Sequence, residues 1–241
     1  VAKNRAFVTH RHPRLLDTDK SPAFFKEGTT LSIVRVREHV NPLSKKYQVP
    51  ATPPDWSAIY AQPHQSLHLD IGCGKGHFAQ DMAMLQGDRN FLGLEIRELL
   101  VDQANRWRDE LGLCNLHYLF CNANNSLRPL LQSLPASILQ QVTIQFPDPW
   151  FKRRHQKRRV VQPELVADLA EFLILGGVVF VQSDVEEVAI EMRDRFDEHP
   201  AFTRQHHDWL LDNPLPISTE RERSTLSTNN EPVYRALFVR S

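Results

Sequence analysis

The chain has 241 residues, 41% of them hydrophobic and 24% charged, which suits one large domain with a buried core. Its 29 Lys plus Arg balance 29 Asp plus Glu, so it is not a globally basic nucleic-acid binder; any such affinity must come from a local patch. No run approaches the roughly 18 apolar residues of a membrane span. Cys73, Cys114 and Cys121 form no CxxC pair and the eleven histidines bring no ligand set with them, so no membrane, disulfide or metal centre is expected, and the setting is a reducing cytoplasm.

Residues 1–30 are polar, basic early and without periodicity, and read as a disordered tail ahead of a single domain over 31–241. Leu31 to Val40 is a short strand or helix, and Asn41 to Ser44 turns the chain. Pro50 to Pro54 is a loop, followed by a short helix over Asp55 to Tyr60. From Leu67 strands and helices alternate. Strands are expected at Leu67–Ile71, Phe91–Leu94, Leu116–Phe120, Val142–Phe146 and Gly177–Val181. Helices are expected at His77–Leu85, Arg97–Leu111, Leu127–Leu134, Pro163–Leu173 and Val185–Phe196. Phe202–His206 and Tyr234–Val239 complete seven strands. Alternating units of this length form a mostly parallel sheet with helices on both faces. Ligands of such sheets bind at the carboxyl ends of the strands.

The turn Asp70-Ile71-Gly72-Cys73-Gly74-Lys75-Gly76 follows the first strand and opens a helix. Gly72 and Gly74 let the backbone approach a ligand closely. Glu95 ends the next strand, where a carboxylate can take both hydroxyls of a ribose. The third glycine comes one residue early for a dinucleotide turn, and His77 stands where that pattern wants a small residue. The spacing, with an acid at Asp70, instead resembles the first motif of S-adenosylmethionine-dependent methyltransferases, in which an acid lies near an aminium group. Asn122, after the third strand, is a candidate for an adenine edge or a plain turn asparagine.

The apolar run Val142 to Phe146 ends at Pro147-Asp148-Pro149-Trp150. Proline cannot continue a central strand, so the chain leaves the sheet there and Asp148 sits on a stiff turn. Six of the eight residues from Lys152 to Arg159 are Lys or Arg. A carboxylate on a rigid loop beside a cationic arm fits chemistry on a polyanion, whereas a bare charge run would be a solvated loop. Trp150 could stack on a base or pack in the core. Asp184, ending the fifth strand, is a substrate carboxylate or a helix N-cap. Thr219 and Glu222 have the spacing of a capping box and are the other candidates for contacting a base.

Together DIGCGKGHF (70–78), GLEIR (93–97), CNA (121–123), QFPDPWFKRRHQKRR (145–159), QSD (182–184) and STERE (218–222) resemble the bacterial tRNA (guanine-N7-)-methyltransferases over roughly Ile33 to Val239. The resemblance implies a Rossmann-like class I methyltransferase fold. It also implies methyl transfer from S-adenosylmethionine to N7 of guanine 46 in the tRNA variable loop. Partners would be tRNA, with no DNA, membrane or obligatory protein. Asp148 matches the catalytic carboxylate and, with Asp70, Gly72, Gly74, Glu95 and Asn122, the cofactor set. Lys152 matches a substrate-contacting position, and the segment holding Arg154, Lys157, Arg158 and Arg159 matches the RNA-contacting one. Asp70 and Asn122 stand where many or some members have glutamate and aspartate. Two rival readings are a methyltransferase acting on another amine and a non-catalytic RNA-binding protein on the same fold.

Overall fold

The computed structural model describes residues 40–229 and 231–241, all within a compact unit spanning 35–241. The expected tail, and all of the Leu31–Val40 element except Val40, lie outside the described residues.

Seven strands form one sheet in the order β3-β2-β1-β4-β5-β7-β6. They are β1 (Leu67–Ile71), β2 (Asn90–Glu95), β3 (Leu116–Phe120), β4 (Leu139–Gln145), β5 (Val178–Ser183), β6 (Phe202–Arg204) and β7 (Tyr234–Arg240). The first five are parallel; β7 runs antiparallel to both β5 and β6. β2 and β3 build outward on one side of β1, and β4 returns to its other side. That reversal opens a crevice at the carboxyl ends of β1 and β4, which is where such sheets bind ligands.

The helices are α1 (Trp56–Ile59), α2 (His77–Leu85), α3 (Glu98–Glu110), α4 (Ala123–Ser133), α5 (Pro163–Phe172), α6 (Glu186–Asp197) and α7 (Glu220–Ser224). Strand alternation divides the core in two. Leu67, Leu69 and Ile71 join α4, α5 and α6 in the larger apolar cluster. Phe91, Leu116 and Tyr118 pack against α2 and α3 in the smaller one. Every β1 residue is buried, as a central parallel strand requires.

Element bounds follow the sequence expectation within one or two residues, with larger differences at two places. Helix α4 starts at Ala123, four residues early, and carries Pro129 inside it. Asn122 caps it by accepting the Asn124 N–H at 3.2 Å, and Ser126, Leu127, Leu130 and Leu131 make the buried stripe. Strand β4 starts at Leu139 instead of Val142 and stops at Gln145. Phe146 has a φ of 49°, incompatible with a strand, so it is the first residue of the turn and not the last of the strand.

Gly76 closes the turn after β1 and precedes α2, with a φ of 83°. A Cβ there would stand 2.6 Å from the Tyr118 ring. Gly76→Ala is therefore expected to lower unfolding free energy by about 2–4 kcal/mol. Gly87→Ala, where a Cβ meets nothing within 4 Å, should leave it nearly unchanged. Urea midpoints of the two variants check this.

Candidate active site

The glycine turn is fastened to the neighbouring strand through its backbone. The N–H groups of Gly72 and Cys73 both donate to the Leu94 carbonyl, at 2.8 and 3.0 Å. Gly74 N–H donates to Glu95 Oε2 at 2.9 Å. At Gly72, φ 81°, an added Cβ would point into open space. That space belongs to a cleft whose lining includes Gly72, Glu95, Arg97, Asn122, Asp148 and Trp150. Elements far apart in the chain therefore meet at the switch point.

Glu95 is only 4% exposed. Besides Gly74, it accepts from Arg97 N–H at 3.0 Å, Nε at 2.9 Å and Nη2 at 3.0 Å. A carboxylate offers about four acceptor positions. All four are therefore filled by protein donors, three of them from Arg97. Burial works against the Arg97 charge, but the Glu95 hydrogen bonds and the charges of Glu95 and then Asp148 raise the arginine's pKa. Arg97 lines the cleft, and sequence reasoning quoted it but did not assign it. The signal was its place two residues after a strand-end acid, since a buried carboxylate needs a cation.

Asp70 lies behind the glycine turn, 4% exposed and outside the cleft lining. Its Oδ1 accepts the Thr143 hydroxyl at 2.7 Å. Thr143 Oγ1 is also 3.1 Å from His68 Nε2, so His68 must donate there. Burial pushes the His68 pKa down to about 3, keeping the ring neutral, and lifts the Asp70 carboxyl from 3.8 to about 6.

Asn122 reaches the cleft, but its amide is engaged. Its Nδ2 donates to the carbonyls of Pro42 and Tyr47, at 3.1 and 3.2 Å, and its oxygen caps α4. These bonds occupy the groups expected to meet an adenine edge: the side chain anchors the 42–47 segment and caps a helix.

The turn after β4 is strained at both ends. Phe146 and Trp150 have φ of 49° and 44° although neither is glycine. Trp150 lies under the Arg158 guanidinium, 4.9 Å from its ring centre. Lys152, Arg153, Arg154 and Lys157 are exposed around the 3₁₀ turn Arg153–Arg158. Arg159 is different: it is 4% exposed, and the RNA contact expected of it would have to displace protein partners. Its donors face Pro149, Glu187 and Glu191.

A relative from Nostoc sp. named tRNA (guanine-N(7)-)-methyltransferase is 63% identical over 214 residues, covering 88% of this chain and 97% of its own. This chain belongs to the tRNA (guanine-N7-)-methyltransferase family. A relative of the same name from Synechococcus elongatus is 59% identical over 207 residues, with 86% and 97% covered. A family model described as "Putative methyltransferase" matches residues 64–236. Among solved structures, the 16S rRNA methyltransferase KamB superposes with a TM-score of 0.56 at 17% identity, covering 79% of this chain and 96% of that one. A SAM-dependent methyltransferase from Aquifex aeolicus gives 0.50 at 11%, covering 74% and 85%. At such identities these two establish the fold, the class I methyltransferase architecture.

The remaining family positions gather on α7. Asp184 does not cap α6; Ser183 Oγ accepts the Val185 N–H instead, at 3.1 Å. The Asp184 carboxylate, 8% exposed, accepts from Arg221 Nε at 2.8 Å and from Arg221 Nη2. Thr219 caps α7 by accepting the Glu222 N–H at 3.0 Å, half of a capping box. The other half is not made. Glu222 turns inward, 1% exposed, and takes Arg235 Nη2 at 2.7 Å and Asn213 Nδ2 at 2.7 Å. The base contact expected of Glu222 would have to compete with Arg235, 5% exposed and bonded to the same carboxylate. The Arg221 side chain is 61% exposed, against 8% for the Asp184 side chain it pairs with.

Asp70 carries a pH signature. Below 3.8 its carboxyl is protonated whether the chain is folded or not. Between 3.8 and about 6 only the folded state keeps the proton. Its contribution to stability is therefore complete in acid and lost as pH rises through about 6. Asp70→Asn should raise unfolding free energy at pH 8, by ~3 kcal/mol, and match the parent near pH 4. Equal urea midpoints for the two proteins at pH 8 would contradict this.

Proposed function

We propose that this protein transfers the methyl group of S-adenosylmethionine to N7 of a guanine in tRNA, at position 46 of the variable loop, in the cytoplasm and without an obligatory protein partner. The observation that carries the reading is the shared cleft. The ribose-type carboxylate Glu95, the open Gly72 and the turn carboxylate Asp148 line one space, with exposed Lys152, Arg154 and Lys157 next in the chain.

The cleft fits the cofactor. An added Cβ at Gly72 would point into open space, and Glu95 stands at the end of β2. S-adenosylmethionine, when bound, supplies an electrophilic methyl on a sulfonium. Gly72 and Gly74 give it backbone to lie against. Glu95 would accept the ribose hydroxyls, with Arg97 turned away. Asn122 and, behind the glycine turn, Asp70 would complete the set that holds it, Asp70 through its negative charge.

Guanine N7 has a free lone pair at neutral pH and needs no base to activate it. Catalysis is then a matter of alignment and of charge. Methylation makes the ring cationic, and Asp148 opposes that charge as it grows. Asp184 accepts from the N1–H and N2–H edge of a base turned out of its stack. The same carboxylate now holds a guanidinium, which presents a similar fork of donors. Arg221 thus leaves as guanine enters. Thr219 caps α7 and so holds Arg221 in place, and Glu222 braces α7 from below. Lys152, Arg154, Lys157 and Arg158 pair with phosphates and position the tRNA without reading its sequence.

Incubation with tRNA and labelled cofactor should yield 7-methylguanosine by nucleoside mass spectrometry, mapping to position 46 after nuclease digestion. Label on a small amine instead, or tRNA binding with no transfer, would replace the reading. Asp148→Ala should cut turnover by at least about a hundredfold with the fold intact. The triple variant Lys152→Ala, Arg154→Ala, Lys157→Ala should flatten the slope of log binding constant against log salt by roughly 2–3, leaving cofactor affinity unchanged.

A further inference from the structure

The last cation of the basic arm is built differently from the others. Arg159 Nε donates to the Pro149 carbonyl at 2.7 Å. Its Nη2 donates to Glu187 at 2.7 Å, and its Nη1 to Glu191. Glu187 and Glu191 are four residues apart on α6, so they share a face. The pairing also holds the Glu187 carboxyl below its usual range, chiefly through the hydrogen bond from Arg159. Three of its five N–H donors, one on each nitrogen, are thus taken by protein. An RNA contact needs the head group turned outward, as it is at Arg154 and Lys157.

Pro149 directly follows Asp148 and precedes Trp150, whose φ of 44° is unfavourable for so bulky a residue. Phe146, at the other end of the turn, is strained in the same way. Non-glycine residues stay in this region only where their surroundings over-determine it. At the leading end the restraint is β5, since Phe146 N–H donates to the Gln182 carbonyl at 2.8 Å. At the trailing end Arg159 holds the Pro149 carbonyl, while Arg158 and His155 contact the Trp150 ring. The helix that holds Arg159 begins two residues after Asp184.

We propose that Arg159 is a positioning residue: it fixes Asp148 by tying the Pro149 carbonyl to α6, and so sets the Asp148 turn against the Asp184 end of β5. This rests on the reading of Asp148 as the catalytic carboxylate.

The test compares Arg159→Gln, the double variant Glu187→Ala with Glu191→Ala, and Lys152→Ala. Each is assayed for tRNA methylation, for tRNA binding at several salt concentrations, and for backbone hydrogen exchange in the protein alone. In Arg159→Gln and in the double variant kcat is expected to fall about 10²-fold, as for a displaced catalytic group. KM for tRNA and the salt slope stay at parent values, and the Phe146, Asp148 and Trp150 amides exchange faster. Lys152→Ala should flatten the salt slope and leave exchange over the turn unchanged. If Arg159 instead grips phosphate, removing Glu187 and Glu191 frees it; tRNA binding then tightens and kcat is kept. That result, or a flattened salt slope in Arg159→Gln with unchanged exchange, overturns the proposal. Glu187 and Glu191 are 55% and 23% exposed, so the double variant remains informative even where Arg159→Gln fails to fold. Exchange needs neither tRNA nor cofactor. If the parent methylates no tRNA, the role of Asp148 is refuted, and the exchange data still decide whether Arg159 holds the turn.

Discussion

A parallel sheet delivers strand ends to one edge, and here that edge carries acids. Asp70, Glu95, Asp148 and Asp184 all lie at or just beyond the carboxyl ends of four neighbouring strands. Two like charges 7 Å apart repel by about 2 kcal/mol at an effective dielectric of 20. Such a cluster persists only if each member has a cation, a donor or a proton. The structure uses all three. Arg97 takes Glu95, Arg221 takes Asp184, and Thr143 donates to Asp70, whose pKa also climbs.

This pairing bears on function because the partners differ in how firmly they hold. Arg235 is buried and fixed on Glu222, with Gln182 Oε1 accepting its Nε at 3.2 Å. Gln182 in turn donates to Gln145 Oε1 at 2.8 Å, so the brace runs under the ends of β4 and β5. Arg221 and Arg97 are more exposed. Under the proposed function, substrates that bring hydrogen-bond donors replace those guanidinium groups without leaving a buried acid unpaired, and the buried pairs keep the site's shape.

Strain is handled in the same manner. Two left-handed non-glycine residues flank Asp148, and each is held by an element that also bears on the site: β5 at Phe146, and α6, through Arg159, at Pro149. The prolines stop β4 from continuing; they do not by themselves aim the carboxylate.

Much of this was legible in the chain. Period-two and helical spacing placed the alternating elements, because burial is periodic in both. The glycines at 72, 74 and 76, with Glu95 a strand later, marked the edge where the cleft opens, because close backbone approach leaves few residue choices. Pro147-Asp148-Pro149 marked the end of β4, because proline is excluded from a central ladder. Side-chain partners were not legible. Arg159 and Arg154 read alike as cations of one run, yet one is buried on α6 and the other faces solvent. Glu222 and Asp184 read alike as substrate acids, yet one is braced and the other accessible by exchange. Asn122 was open between a ligand and a turn, and Pro42 and Tyr47 decide its donors. The sequence alone determined which groups are present and on which strand ends they fall, since backbone geometry is local. Only the tertiary structure decided which charges are engaged, since pairing depends on residues tens of positions apart and on which of them the fold removes from water.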